Sequence, residues 1–295
     1  MSLQYYGWRL ANAALSRLPL RVSYAVATLV GALAFGCWLR GRRNVLRNYA
    51  RVLPGAPHRE RARIGRASLV NYCKYLVDFM RLPSMLETEV CGACSGEAAF
   101  AELNAALGRG KGVIGVPMHF GNWDLGAAAV AARGYDATVV AETFGDPRLD
   151  AMVVGARERL GLKVVRMEHA GPGLLRLLRR GGLLALLIDR PTPGQGVAVS
   201  FFGRTIEVPA GPARLALASG AAVVAVAFRR VRPNAADVEV LSEFIPRPER
   251  TGDRAADVRA LTQAIVRAHE RFIHAYPEQW YMFREMWPRR ESAPE

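Results

Sequence analysis

One stretch of the chain puts a base and an acid close enough to cooperate: Pro117-Met118-His119-Phe120-Gly121-Asn122-Trp123-Asp124. A histidine whose second ring nitrogen bonds a carboxylate is held in one tautomer and made more basic. Such a dyad is a general base able to take the proton from a hydroxyl. On a continuous helix, residues spaced as His119 and Asp124 are would point about 140° apart, given the 3.6-residue turn. The pair therefore needs a tight turn between its members, and Gly121 can supply it because glycine accepts unusual dihedrals. The spacing alone also fits an ordinary loop histidine beside a helix-capping aspartate.

The segments around this stretch say how it is carried. Gly112 to Val116 reads as a short buried strand and Trp123 to Ala132 as a helix, so His119 lies just past a strand and Asp124 in the first turn of the next helix. Strand and helix signals then alternate. Strands are predicted at Ala137 to Ala141, Lys163 to Arg166, Leu183 to Ile188 and Ala222 to Phe228, with an edge strand at Val238 to Leu241. Helices are predicted at Phe100 to Leu107, Pro147 to Leu160, Gly173 to Arg180, Pro212 to Ser219 and Asp257 to Tyr276. This alternation predicts an α/β fold with a mixed, mainly parallel central sheet covered by helices on both faces. In such sheets ligands bind where strands end and helices begin.

The first 95 residues read differently, as a helical layer ahead of an α/β domain over 96–295. Ser68 to Met80 has helical apolar spacing, and the Arg-rich stretch from Arg40 to Arg66 is broken by Pro54 and Pro57. Val22 to Leu39 is an uncharged apolar run flanked by Arg21 and by Arg40, Arg42 and Arg43. Its length is at the lower edge of the roughly 17–25 residues that cross a bilayer as a helix. The aromatics upstream, Tyr5, Tyr6 and Trp8, suit the headgroup zone. The expectation is membrane attachment without a clear crossing; a helix buried against the main domain is the other reading.

Net charge is +14, from 40 Lys+Arg against 26 Asp+Glu. This favours an anionic partner, and the apolar N-terminal run selects a membrane face over nucleic acid. Four cysteines in 295 residues do not make a disulfide scaffold, and Cys91-Gly-Ala-Cys94 has no second Cys/His pair to complete a metal site. No H-E-x-x-H, G-x-S-x-G or phosphate-binding glycine loop is present, which leaves metalloprotease, serine-hydrolase and nucleotide-triphosphatase chemistry without support. His269 and His274 fall on the last helix, where they are expected at its exposed rim.

The form HFGNWD resembles the H-x4-D/E motif of bacterial glycerolipid acyltransferases. More closely, the chain is similar to the branch that holds the lipid A biosynthesis (lauroyl/myristoyl) acyltransferases and the phosphatidylinositol mannoside acyltransferases. The likeness extends through Arg81-Leu82-Pro83-Ser84, Arg157 with Gly161, Ile188-Asp189-Arg190, Phe201-Phe202-Gly203, Val208 to Pro212 and Tyr276-Pro277-Glu278-Gln279-Trp280. In the mannoside branch an acid is expected just before the Phe-Phe-Gly segment; Val197 to Ser200 holds none. The resemblance implies direct transfer of a fatty acyl group from acyl-CoA or acyl carrier protein to a hydroxyl of a membrane glycolipid, of the lipid A precursor or phosphatidylinositol mannoside type. It implies His119 as base oriented by Asp124, and substrate contacts from Asn122, Arg157, Asp189, Arg190, Phe202 and Gly203. It implies no metal or redox cofactor, and residence on the cytoplasmic face of the bacterial inner membrane. Hydrolysis of acyl thioesters or lipids in the same pocket and acylation of a lysophospholipid are the alternatives, with a non-catalytic basic binding protein as a third.

Overall fold

In the computed structural model, residues 3–15, 17–169 and 171–287 are described. Four helices lead: α1 (Leu3–Leu15), α2 (Leu20–Cys37), α3 (Leu39–Val52) and α4 (His58–Arg81). Pro54 and Pro57 lie between α3 and α4, so the Arg-rich stretch is two helices joined by a proline turn. Short α5 (Glu87–Gly92) and β1 (Cys94–Ser95) lead into the alternating part: α6 (Glu97–Leu107), β2 (Val113–Val116), α7 (Trp123–Ala132), β3 (Ala137–Ala141), α8 (Pro147–Arg159) and β4 (Lys163–Arg166). There follow α9 (Pro172–Arg179), β5 (Leu183–Ala185), the hairpin β6 (Val197–Phe201) and β7 (Arg204–Val208), α10 (Gly211–Ser219), β8 (Ala222–Arg230), β9 (Val238–Ile245) and α11 (Arg254–Ala275).

The seven-stranded sheet has the order β1-β9-β8-β2-β5-β3-β4 and is parallel except where β8 meets β9. The α/β fold with a mostly parallel sheet is therefore as the residue pattern predicts. β9 runs on to Ile245 and lies inside β1, so the expected edge strand is longer and one place inward. The hairpin β6–β7 was not foreseen. Its two-residue turn, Phe202-Gly203, has φ of 47° and 72°, the type I′ hand that asparagine-glycine ordinarily announces. Central β2 is buried at every position, as a strand covered on both faces must be.

The helical layer is fastened to the sheet by a C-terminal strap. Asn48 of α3 donates to the carbonyls of Met282 (3.0 Å) and Arg284 (2.8 Å), and Ser68 of α4 to that of Trp280 (2.7 Å). On α2, Tyr24, Ala27, Gly31 and Phe35 are buried. A Cβ on Gly31 would stand 2.7 Å from the Val70 backbone of α4, so the two helices touch at main-chain distance. The opposite side of α2 leaves Val22, Val26, Leu29, Val30 and Leu33 exposed, Leu29 by 60%.

Candidate active site

β2 ends at Val116, and the chain passes through Pro117 and Met118 to His119 before α7 begins. The turn between is held by backbone bonds from two sides. Gly121 N–H donates to Gln279 C=O (2.9 Å), Asn122 N–H to Phe228 C=O (2.9 Å), and Tyr281 N–H to His119 C=O (2.8 Å). Gly121 sits at φ +59°, and a Cβ there would lie 1.9 Å from the Phe228 carbonyl oxygen. Glycine is thus required at the position where the sequence needs a tight turn.

The turn does not bring His119 to Asp124. The His119 ring instead meets Asp189, with Nδ1 to Oδ1 at 2.8 Å, while the His119 backbone N–H donates to Oδ2 at 2.8 Å. An ionised carboxylate only accepts, so Nδ1 carries the hydrogen and Nε2 is left with a lone pair. Sheet register accounts for the pairing. β2 and β5 lie side by side in parallel with Gly115 opposite Ala185, and His119 and Asp189 stand equally far beyond those two residues. Burial pushes the Asp189 carboxyl up, but the His119 ring, its two hydrogen bonds and the nearby His269 outweigh that and hold it below the ordinary carboxylate value.

Asp124 faces another way. Arg157 Nε donates to its Oδ1 (2.8 Å), and Tyr75 of α4 donates to Oδ2 at 2.6 Å. A second Arg157 nitrogen reaches Oδ2 at 3.3 Å, making the contact bidentate. Burial, with the Asp124 charge beside it, holds the Tyr75 phenol well above its usual range, so it remains a donor. Burial alone would lower the Arg157 guanidinium, but Asp124 overcomes this and raises it. Nothing in the sequence marks Tyr75, which stands within the apolar helical pattern of Ser68 to Met80; the buried acid it serves lies 49 residues away.

The other expected contacts separate. Arg157 and Arg190 line a groove of about 990 Å³ together with His119, Asp189, Trp123 and Tyr75. Arg190 is ion-paired with Glu142 across it. Asn122 is fully buried: its side-chain oxygen caps α7 by accepting from Leu125 N–H (3.2 Å), and its Nδ2 donates to Asp78 at 2.9 Å. Phe202 and Gly203 form the hairpin tip, where the Phe202 ring packs on Phe201 and Trp287; neither is among the described residues that line the groove. His269, expected at a helix rim, is buried, and its Nε2 is 2.9 Å from Val116 C=O. Burial lowers its basicity, so the ring is neutral and donates that bond.

Beside the groove lies an apolar cavity of about 140 Å³ between the sheet and α6 and α7, walled by Phe100, Leu103, Ala127, Val139, Leu184 and Val226. Trp123, Val140, Arg157 and Leu187 belong to the walls of both spaces.

A carboxylate-held imidazole thus stands beside a groove and an apolar cavity, on an α/β sheet with a helical N-terminal layer, an arrangement chemically able to take a proton from a hydroxyl next to an apolar chain. The chain matches the family of bacterial lipid A biosynthesis acyltransferases over residues 3–289 and belongs to it. It is 29% identical over 291 residues to the phosphatidylinositol mannoside acyltransferase of Mycolicibacterium smegmatis, covering 95% of this chain and 89% of that protein. It is also 29% identical over 255 residues to the phosphatidylinositol mannoside acyltransferase of Mycobacterium tuberculosis, covering 84% of this chain and 77% of that one. The protein is accordingly an acyltransferase of lipid biosynthesis, consistent with transfer to oxygen.

Proposed function

We propose that the protein moves a fatty acyl group from a thioester, acyl-CoA or acyl carrier protein, to a hydroxyl of a membrane glycolipid, with His119 as general base held by Asp189. The observation that carries this reading is the Nδ1 contact to Asp189 at 2.8 Å, which leaves Nε2 as the proton acceptor. In the proposed step Nε2 removes the acceptor hydroxyl proton as the oxygen attacks the thioester carbonyl. The tetrahedral intermediate collapses by breaking the C–S bond, and the imidazolium returns its proton to the departing thiolate. Asp189 stabilises the imidazolium that exists between those two events. The apolar cavity sharing Trp123 and Arg157 with the groove suits the acyl chain. Arg157 and Arg190 suit phosphates of donor or acceptor, since guanidinium matches phosphate geometry.

Attachment to the cytoplasmic face of the inner membrane, where thioester donors are made, fits the exposed apolar side of α2. Arg40 and Arg43 at the start of α3 are exposed beside it and suit anionic headgroups. Because α2 packs one side on α4, we read it as lying in the interface and not as crossing the bilayer.

The test is incubation of detergent-purified protein with labelled long-chain acyl-CoA and a bacterial lipid extract, beside His119→Ala. Label entering a lipid band only when His119 is intact is the expected result, and mass spectrometry of the band identifies the acceptor. Label released as free fatty acid, indifferent to added lipid, would make the protein a hydrolase. Equal transfer by His119→Ala would remove His119 from the mechanism.

A further inference from the structure

Behind the His119 turn, side chains from three elements meet one from the turn itself out of reach of solvent. Tyr24 of α2 donates to Asp78 Oδ1 at 2.5 Å, and Arg230, the last residue of β8, pairs with Oδ2 and donates to the Tyr24 hydroxyl at 2.9 Å. The fourth member is Asn122, whose Nδ2 donates to Asp78 Oδ2 at 2.9 Å. All are 4% exposed or less. A buried ion pair costs more desolvation than apolar packing of the same volume, so it is weak support for mere stability.

The cluster controls the part of the turn that must not move. Asp78 only accepts, so it fixes which end of the Asn122 amide faces it and points the oxygen at the α7 N-terminus. Arg230 reaches the turn from the other side: its backbone N–H and C=O bond the Gln279 side chain (2.7 and 3.0 Å), and Gln279 C=O accepts from Gly121 N–H. Both anchor points, Gly121 and Asn122, lie just C-terminal to His119 on the same turn. Tyr24 brings α2 into the same cluster, and α2 is the helix whose other side is exposed and apolar.

We propose that Tyr24 is a positioning residue: seating α2 on α4 completes the Asp78–Arg230–Asn122 cluster and thereby sets the turn that carries His119. The membrane-facing helix is then part of what arms the site and not only an attachment. This rests on His119 being the base, and the mechanism predicts the consequence, since small displacements of a positioned base cost rate without costing binding.

The experiment uses the full chain in detergent micelles with the bacterial lipid extract as acceptor and acyl-CoA varied up to saturation, comparing wild type, Tyr24→Phe, Asn122→Ala, the double variant and His119→Ala, each checked for folding by circular dichroism. Tyr24→Phe is expected to lower kcat about tenfold with KM for acyl-CoA unchanged. The double variant is expected to be no slower than Asn122→Ala alone, because both changes act through one contact chain. Coupling must run both ways, so Asn122→Ala should also lower hydrogen-exchange protection across α2, a readout that stands even if Tyr24→Phe does not fold. Tyr24→Phe retaining kcat within about twofold, losses that multiply in the double variant, or α2 protection unchanged by Asn122→Ala would each overturn the inference. Full activity in His119→Ala would instead overturn the reading of the site itself.

Discussion

Asp124, at the start of α7, and Asp189, beyond the end of β5, are both buried carboxylates at one groove, yet they are held in opposite ways. Asp124 has both oxygens taken by a permanent cation and a phenol, Arg157 and Tyr75. Asp189 has both oxygens on His119, one on the ring and one on the backbone N–H. A carboxylate facing a permanent cation has its charge answered at every step of a reaction. One facing an imidazole meets a partner whose charge appears only when a proton is taken, and there it can stabilise the transition state selectively. Under the proposed mechanism, the contrast makes Asp124 a brace and Asp189 the group that works with the base.

The largest effect expected is on Asp189. Asp189→Asn should lower kcat about 10³- to 10⁴-fold, the scale seen when the orienting acid of a histidine base is neutralised, while the melting curve keeps its cooperative shape. Steady-state transfer assays on Asp189→Asn and Asp124→Asn together would break the comparison if the two losses were equal. Arg157→Ala should act on folding as well as on substrate binding. It strands a buried carboxylate and should cost about 3–5 kcal/mol in denaturant unfolding, as removal of one partner of a buried pair does. Tyr75→Phe removes one hydrogen bond to the same acid and should cost about 1–2 kcal/mol by the same measurement.

The smallest effect is in pH. Asp189 titrates below its ordinary value in the folded protein, so the unfolded chain, with a carboxyl near about 3.9, binds the proton first as pH falls. The stability Asp189 contributes is whole above that range and is lost as pH drops through the folded value. The difference in melting temperature between wild type and Asp189→Asn should therefore narrow as pH falls below about 4.

Much of this is legible in the sequence. Helix Trp123–Ala132 and strand Ala137–Ala141 fall where their residue patterns put them, and Gly121 makes the turn the motif needs. The partner of His119 was not legible, because nearness in sequence pointed to Asp124. β2 and β5 are neighbours in the sheet although β3 and β4 come between them in the chain. Only that adjacency, with Gly115 opposite Ala185, lines up His119 with Asp189. The acid expected before Phe201 is absent in the sequence; the one that meets the imidazole arrives from the β5 end instead. The Asp78–Arg230 pair was hidden for a similar reason: Asp78 looks like a stray charge on an apolar helix face until β8 delivers Arg230 from 152 residues away. His269, expected exposed or at the rim of the last helix, falls on its inner face, where its ring bonds the end of β2.

The most direct measurement is nitrogen NMR of protein labelled with ¹⁵N-histidine, comparing wild type with Asp124→Asn and Asp189→Asn. The account predicts that neutral His119 carries its proton on Nδ1 in wild type and in Asp124→Asn, and that this preference is lost in Asp189→Asn. A tautomer that shifts on neutralising Asp124 and stays put on neutralising Asp189 would contradict it.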